Sequence, residues 1–298
     1  MTQTNANATQ PPTTRFLDRP HGRIAYDVTG EGPLVVAAPG MGDLRSAYRM
    51  LAPALVEAGY RVATMDLRGH GESDTTFGAF DGEAAGTDII ALLEDLGGGP
   101  AVVIGNSMTA GSAVMAAAER PDLVAGLVLT GPFVRDPSGG RLAELSLRVM
   151  LTRPWGPRVW NTYYAKLYPG RQPEDLQAHR DHIRQNLREP GRWNAFIQTT
   201  RTRHAYAEAR LDDVQAPVLV VMGDSDPDWS DAAAEAEYIG QRLDGQVLMV
   251  EHAGHYPHVE YPEVVTPRIT SFLAEEARWT RSERQAQDGH EPEVTPDA

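Results

Sequence analysis

Three polar residues in this chain each stand just beyond a short apolar run, and their types are those of a nucleophile, an acid and a base. Ser107 follows Ala101-Val102-Val103-Ile104 inside Gly105-Asn106-Ser107-Met108-Thr109-Ala110-Gly111. Asp226 lies three residues past Gly223, after Pro217-Val218-Leu219-Val220-Val221-Met222, and His255 follows Ala253-Gly254 after Val247 to Val250. A serine hydroxyl is a weak nucleophile at neutral pH, so it needs a histidine to take its proton and an acid to orient that histidine. A tight turn after Ile104 would lift Ser107 above a sheet edge, with the N-terminus of the next helix behind it to favour nearby negative charge.

An attack on a carbonyl also needs two backbone donors aimed at the developing oxyanion. Met108, at the helix start, supplies one, and Met41 in Ala38-Pro39-Gly40-Met41-Gly42 is the candidate for the other, since the glycines allow close approach. The neighbouring polar residues read as structural. Asp228 is expected to be a turn or N-cap residue for the helix near Asp231. Asp224, Asp226, Asp228 and Glu235 have the spacing of a calcium loop, but Pro227 and Trp229 stand where such a loop needs a flexible turn and a glycine. His252, His255 and His258 have no helix to present them to zinc across Gly254 and Pro257, so His252 and His258 are read as surface or packing residues. No metal and no cofactor is expected.

The elements that must position these groups alternate. Strands are expected at Ile24 to Val28, Leu34 to Ala38, Val62 to Met65, Ala101 to Ile104, Leu127 to Leu129, Val218 to Met222 and Val247 to Val250. Several are almost continuously apolar, as strands buried on both faces should be. Amphipathic helices are expected at about Leu44 to Glu57, Glu83 to Leu96, Thr109 to Glu119, Asp231 to Leu243 and Glu263 to Arg278. This order predicts an α/β fold, a mostly parallel sheet covered by helices on both sides, with chemistry beyond the carboxyl ends of the strands. The alternation stops between residues 131 and 215, where prolines, helical patterns and aromatics such as Trp155, Trp160, Tyr163, Tyr164, Trp193 and Phe196 predict a helical cap inserted into the core at 15–130 and 216–279.

Composition narrows the partners. The 298 residues carry a net charge of −14, which repels nucleic acid and anionic lipid, so the expected partner is a small-molecule substrate. No run is long and apolar enough for a membrane span. Cysteine is absent, which removes disulfides, thiolate metal sites and a cysteine nucleophile together. The polar start lacks the features of a signal peptide, giving the expectation of a cytoplasmic protein, compatible with a homodimer. Tails at 1–14 and 280–298 are expected to be disordered.

The chain resembles the α/β-hydrolase superfamily, in its serine-nucleophile branch with a helical cap, over about Phe16 to Ala277. The resemblance rests on Pro39-Gly40-Met41, Asp66-Leu67-Arg68-Gly69-His70-Gly71-Glu72-Ser73, the Ser107 turn, and the Asp226 and His255 loops, in the family's order. It implies a sheet of roughly eight strands, a Ser107-His255-Asp226 triad, an oxyanion hole of the Met41 and Met108 amides, and a structural turn at Asp66 to Ser73. Two positions depart from the pattern: Pro39 replaces the usual histidine, and Thr109 replaces the second glycine of the turn. Packing or an intrahelical bond is the expected role of Thr109. The implied activity is esterase-like cleavage of a small carboxylic ester or lactone. A carbon-carbon bond hydrolase of the ring-cleavage type and a non-catalytic small-molecule binder are the alternatives.

Overall fold

The computed structural model describes residues 13–97, 99–136 and 146–279. Its frame is one eight-stranded sheet: β1 (Arg15–Arg19), β2 (Gly22–Thr29), β3 (Leu34–Ala38), β4 (Arg61–Met65), β5 (Ala101–Asn106), β6 (Val124–Thr130), β7 (Val218–Gly223) and β8 (Gln246–Val250). They lie side by side as β1-β2-β4-β3-β5-β6-β7-β8, parallel from β4 to β8 and antiparallel at β1 and β2. After β3 the chain adds β4 on one side and β5 on the other. The crevice at the carboxyl ends of β3 and β5 is therefore the point where connections diverge.

Alternate residues of the central strands feed two cores. Val36, Ala38, Val103, Leu127 and Val220 pack with α2 (Gly82–Asp95), α3 (Thr109–Glu119) and α8 (Ala232–Arg242), while Val35, Ala37, Val102, Ile104 and Val221 pack with α1 (Leu51–Glu57) and α10 (Pro262–Glu275). Period-two side chains with apolar partners on both faces explain the unbroken apolar runs of the sequence.

Two expected elements differ. β1, Arg-Phe-Leu-Asp-Arg, was not among the expected strands because it is an edge strand in which only Leu17 is buried. The helix expected from Leu44 to Glu57 is a short 3-10 turn, Arg45–Tyr48, followed by α1 from Leu51. Pro53 has no N–H and a fixed φ, so it suits a first helical turn and not a helix interior.

Between β6 and β7 lie α4 (Gly156–Lys166), α5 (Leu176–Asn186), α6 (Arg192–Thr199) and α7 (Ala205–Glu208). Trp160, Tyr164, Tyr168, Trp193 and Phe196 of this segment form a third apolar core with Leu44, Tyr256 and Val259. Trp155 stays exposed. The expected tails fall outside the described residues, apart from Thr13 and Thr14. The Thr14 hydroxyl donates to Glu72 at 3.0 Å and accepts from Arg45 at 2.8 Å. Among the described residues no helix is long and apolar enough to cross a membrane.

Candidate active site

β5 runs through Asn106, α3 begins at Thr109, and Ser107 makes the turn between them with φ +57°. That left-handed conformation is uncommon for a residue with a Cβ and has to be held by its surroundings. Ser107 N–H donates to the Thr130 carbonyl at 2.9 Å, and the Ser107 carbonyl accepts from Ala110 at 3.1 Å and Phe133 at 3.1 Å. Gly105 allows the turn to close, since a Cβ there would lie 2.5 Å from the Thr109 carbonyl.

Thr109 is fully buried, and its hydroxyl lies 2.9 Å from the Asn106 carbonyl three residues back, a local contact to which the fold adds a longer-range one. Its buried hydroxyl donates to the Ala38 carbonyl at 2.7 Å and accepts from Asn106 N–H at 3.0 Å. It braces the end of β3 against the end of β5, and the β3 contact is the part the sequence did not suggest.

The β3 loop approaches the serine closely: a Cβ on Gly40 would sit 2.9 Å from Ser107 Cβ. The Met41 side chain packs with Met108, Leu67 and Ala85. Neither the Met41 nor the Met108 amide is donated to a protein acceptor among the described residues. His70 steadies this loop. Its Nδ1–H donates to the Arg68 carbonyl at 2.9 Å, leaving Nε2 to accept from Gly42 N–H at 3.1 Å. Burial keeps His70 neutral by lowering its pKa to about 4.

Asp226 leaves the end of β7, and His255 lies beyond β8. His255 Nδ1–H donates to Asp226 Oδ2 at 2.8 Å, with both side chains buried. The second Asp226 oxygen accepts from Asp228 N–H at 2.9 Å. Burial opposes charge on His255, but Asp226 and Asp228 outweigh it and raise its pKa to about 9. Asn106 links this loop to the serine turn, donating to the Thr130 carbonyl at 3.0 Å and to the His255 carbonyl at 3.4 Å. The Phe133 ring meets His255 edge-on at 6.0 Å. Among the described residues no hydrogen bond joins Ser107 Oγ to His255.

The N-cap role expected of Asp228 belongs to Asp231, which accepts from Ala234 N–H at 2.9 Å. Asp228 instead turns inward, taking a short hydrogen bond from Tyr163 of α4 and lying 3.5 Å from His255 Nδ1. Glu260 in α9 (Pro257–Glu260) also escaped sequence reading. It accepts from Gly254 N–H at 2.6 Å and Gly170 N–H at 3.0 Å, and so fixes the residue before His255. Burial raises its pKa to about 7. Asp228 had a signal, its two-residue spacing from Asp226, but a turn aspartate has the same spacing.

Neither alternative metal pattern forms. Glu235 is bound by Arg135, His252 is exposed, and His258 is fully buried and stacked on Tyr48 at 5.5 Å. Asp226, Asp228 and His255 do have ligand atoms within 4.8 Å of one another, but His255 Nδ1 already donates its proton to Asp226. A cleft of about 930 Å³, lined by Arg45, Arg49, Asp66 and Arg192 among others, is bordered by none of the five candidate residues.

The profile of the family described as serine aminopeptidase, S33, matches residues 31–261. The 2-(acetamidomethylene)succinate hydrolase of Mesorhizobium japonicum is 30% identical over 266 residues, covering 85% of this chain and 92% of that protein. A thermophilic esterase from Thermogutta terrifontis, solved with malate bound, has a TM-score of 0.69 at 26% identity, covering 86% of this chain and 94% of its own. The bromoperoxidase of Bacillus anthracis shares the fold at a TM-score of 0.75 and 18% identity, covering 88% of this chain and 100% of its own. Together with the sheet order and the serine turn at its crevice, these matches place the chain in the α/β-hydrolase superfamily, within the serine aminopeptidase, S33 family of hydrolases.

Proposed function

We propose that this hydrolase cleaves a small carboxylic ester or lactone through an acyl-enzyme intermediate. Ser107 Oγ attacks the carbonyl carbon while neutral His255 takes its proton. The Met41 and Met108 amides donate to the oxyanion, whose charge is the main obstacle in the step. Asp226 holds the proton on Nδ1, leaving Nε2 as the base, and stabilises the imidazolium that forms. His255 then protonates the leaving oxygen. In the second half, water loses a proton to His255 and attacks the acyl carbon, releasing the acid and restoring Ser107.

One observation carries the reading: a buried His255–Asp226 pair at 2.8 Å, tied through Asn106 to a serine held in a left-handed turn. The left-handed turn sets Ser107 between β5 and α3 at the crevice, the position an activated serine takes in a strand-turn-helix elbow. The likeness to the Thermogutta terrifontis esterase supports an ester substrate.

A second reading draws on the 30% identical relative, which is named for a succinate bearing an acetamidomethylene group. A small acid of that kind would undergo the same serine attack with a different leaving group. The test for both is a graded panel of p-nitrophenyl esters, lactones and that succinate, run on wild type and Ser107→Ala beside fluorophosphonate labelling. Turnover of esters lost in Ser107→Ala supports the first reading, and turnover confined to the succinate transfers support to the second. A folded wild type that is not labelled at Ser107 overturns both.

A further inference from the structure

Helix α4 carries two adjacent tyrosines whose hydroxyls reach opposite halves of the machinery. Tyr164, fully buried, donates to Asp43 Oδ2 at 2.6 Å. Asp43 is two residues beyond Met41, in the loop that offers the oxyanion donor. Tyr163 donates a short hydrogen bond to Asp228, whose N–H donates to Asp226 and whose carboxylate lies 3.5 Å from His255 Nδ1. Consecutive residues on a helix project about 100° apart, so one rigid element can hold two loops that do not belong to it.

Both contacts are ones the loops cannot readily replace. Asp43 is completely buried, and its other oxygen accepts from Leu44 N–H at 2.7 Å and from His179 Nε2–H of α5 at 2.9 Å. A buried carboxylate follows its donors, because leaving it short of one is costly. The oxyanion loop therefore takes its position from the cap helices as well as from β3. Asp228 is likewise mostly enclosed, and besides His255 it has Tyr163 as a hydrogen-bond partner from outside its own loop.

We propose that α4 is a clamp, with Tyr163 and Tyr164 as positioning residues that set the distance between the oxyanion loop and the His255–Asp226 pair. This rests on the hydrolase reading above. Neither tyrosine touches the reacting atoms. Their hydroxyls act through Asp228 and Asp43. A clamp released at one end holds nothing, so the two contacts should behave as one unit.

The experiment compares Tyr163→Phe, Tyr164→Phe and the double variant, all of which keep the rings in place. On a p-nitrophenyl ester, each single variant should lower kcat about tenfold with KM changed less than about twofold, and the double variant should be no slower than the slower single. Fluorophosphonate labelling of Ser107 should slow in parallel. Hydrogen exchange is the second readout: Tyr163→Phe should speed exchange at residues 41–44, and Tyr164→Phe at residues 226–229, each across the helix from the cut. Single effects that multiply in the double variant, or faster exchange only at the loop whose own tyrosine was cut, overturn the clamp. Absence of Ser107 labelling in wild type overturns the hydrolase reading instead, and the exchange data still decide the clamp.

Discussion

The Thr109 hydroxyl donates to the Ala38 carbonyl at 2.7 Å, joining the carboxyl ends of the two strands that flank the crevice. The residue that breaks the Gly-x-Ser-x-Gly pattern is thus a crosslink between the loop after β3 and the serine turn. Thr109→Val keeps the volume but strands the Asn106 N–H, so it should destabilise the fold by about 1–3 kcal/mol and slow Ser107 labelling. Urea unfolding beside labelling kinetics checks this, and a variant as stable and as reactive as wild type removes the brace.

Asp228 offers His255 a second carboxylate, 3.5 Å from the nitrogen that Asp226 binds at 2.8 Å. Asp226→Asn should therefore lose less activity than the roughly 10⁴-fold expected when an isolated triad acid is removed. Asp226→Asn/Asp228→Asn should lose more than either single variant. Ester hydrolysis by the three variants decides it: a double variant no worse than Asp226→Asn means that Asp228 has no part.

The two carboxylates raise His255 to about 9, and the proposed mechanism needs its neutral form as the base. Ester kcat/KM should therefore climb from pH 7 toward pH 9. Stability should run the other way. A group whose folded pKa lies above its unfolded value contributes fully below about 6.5, and that contribution disappears as pH rises through about 9. Melting temperatures of wild type and His255→Gln should converge across this window, and a constant gap would contradict the raised pKa.

His70 accepts from Gly42 N–H and stays neutral down to about pH 4. If the Met41 amide acts as proposed, His70→Ala should lower kcat by about tenfold or more through a loosened loop, yet leave the pH profile between 5 and 9 unmoved. A shifted profile would make His70 part of the proton chemistry and not of the loop. Gly40→Ala is the harsher companion: its new Cβ would press on Ser107 Cβ, and labelling should be lost while the fold persists.

Much of the candidate site is legible in the sequence because its residues follow strand ends, and strand ends are announced by apolar runs. Ser107, Asp226 and His255 each come just after such a run, and the parallel sheet brings those ends to one edge. β1 was not readable, since a half-exposed edge strand needs little apolar periodicity. The break before α1 has one local signal, Pro53, which an apolar period through Leu44 to Glu57 masks.

Local chemistry along the chain determined the sheet, the helices that cover it and the short list of reactive groups, because period, turn residues and the position of a polar group after a strand are all local properties. Tertiary structure alone decided what each polar group does. Asp228 and Asp231 are three residues apart in one loop, yet one lies beside His255 and takes a hydrogen bond from Tyr163 while the other caps α8. Thr109 meets Ala38 from 71 residues away, and Tyr164 meets Asp43 from 121. The role of a hydroxyl or carboxylate depends on which donor or acceptor burial places within about 3 Å of it, and that partner comes from distant parts of the chain.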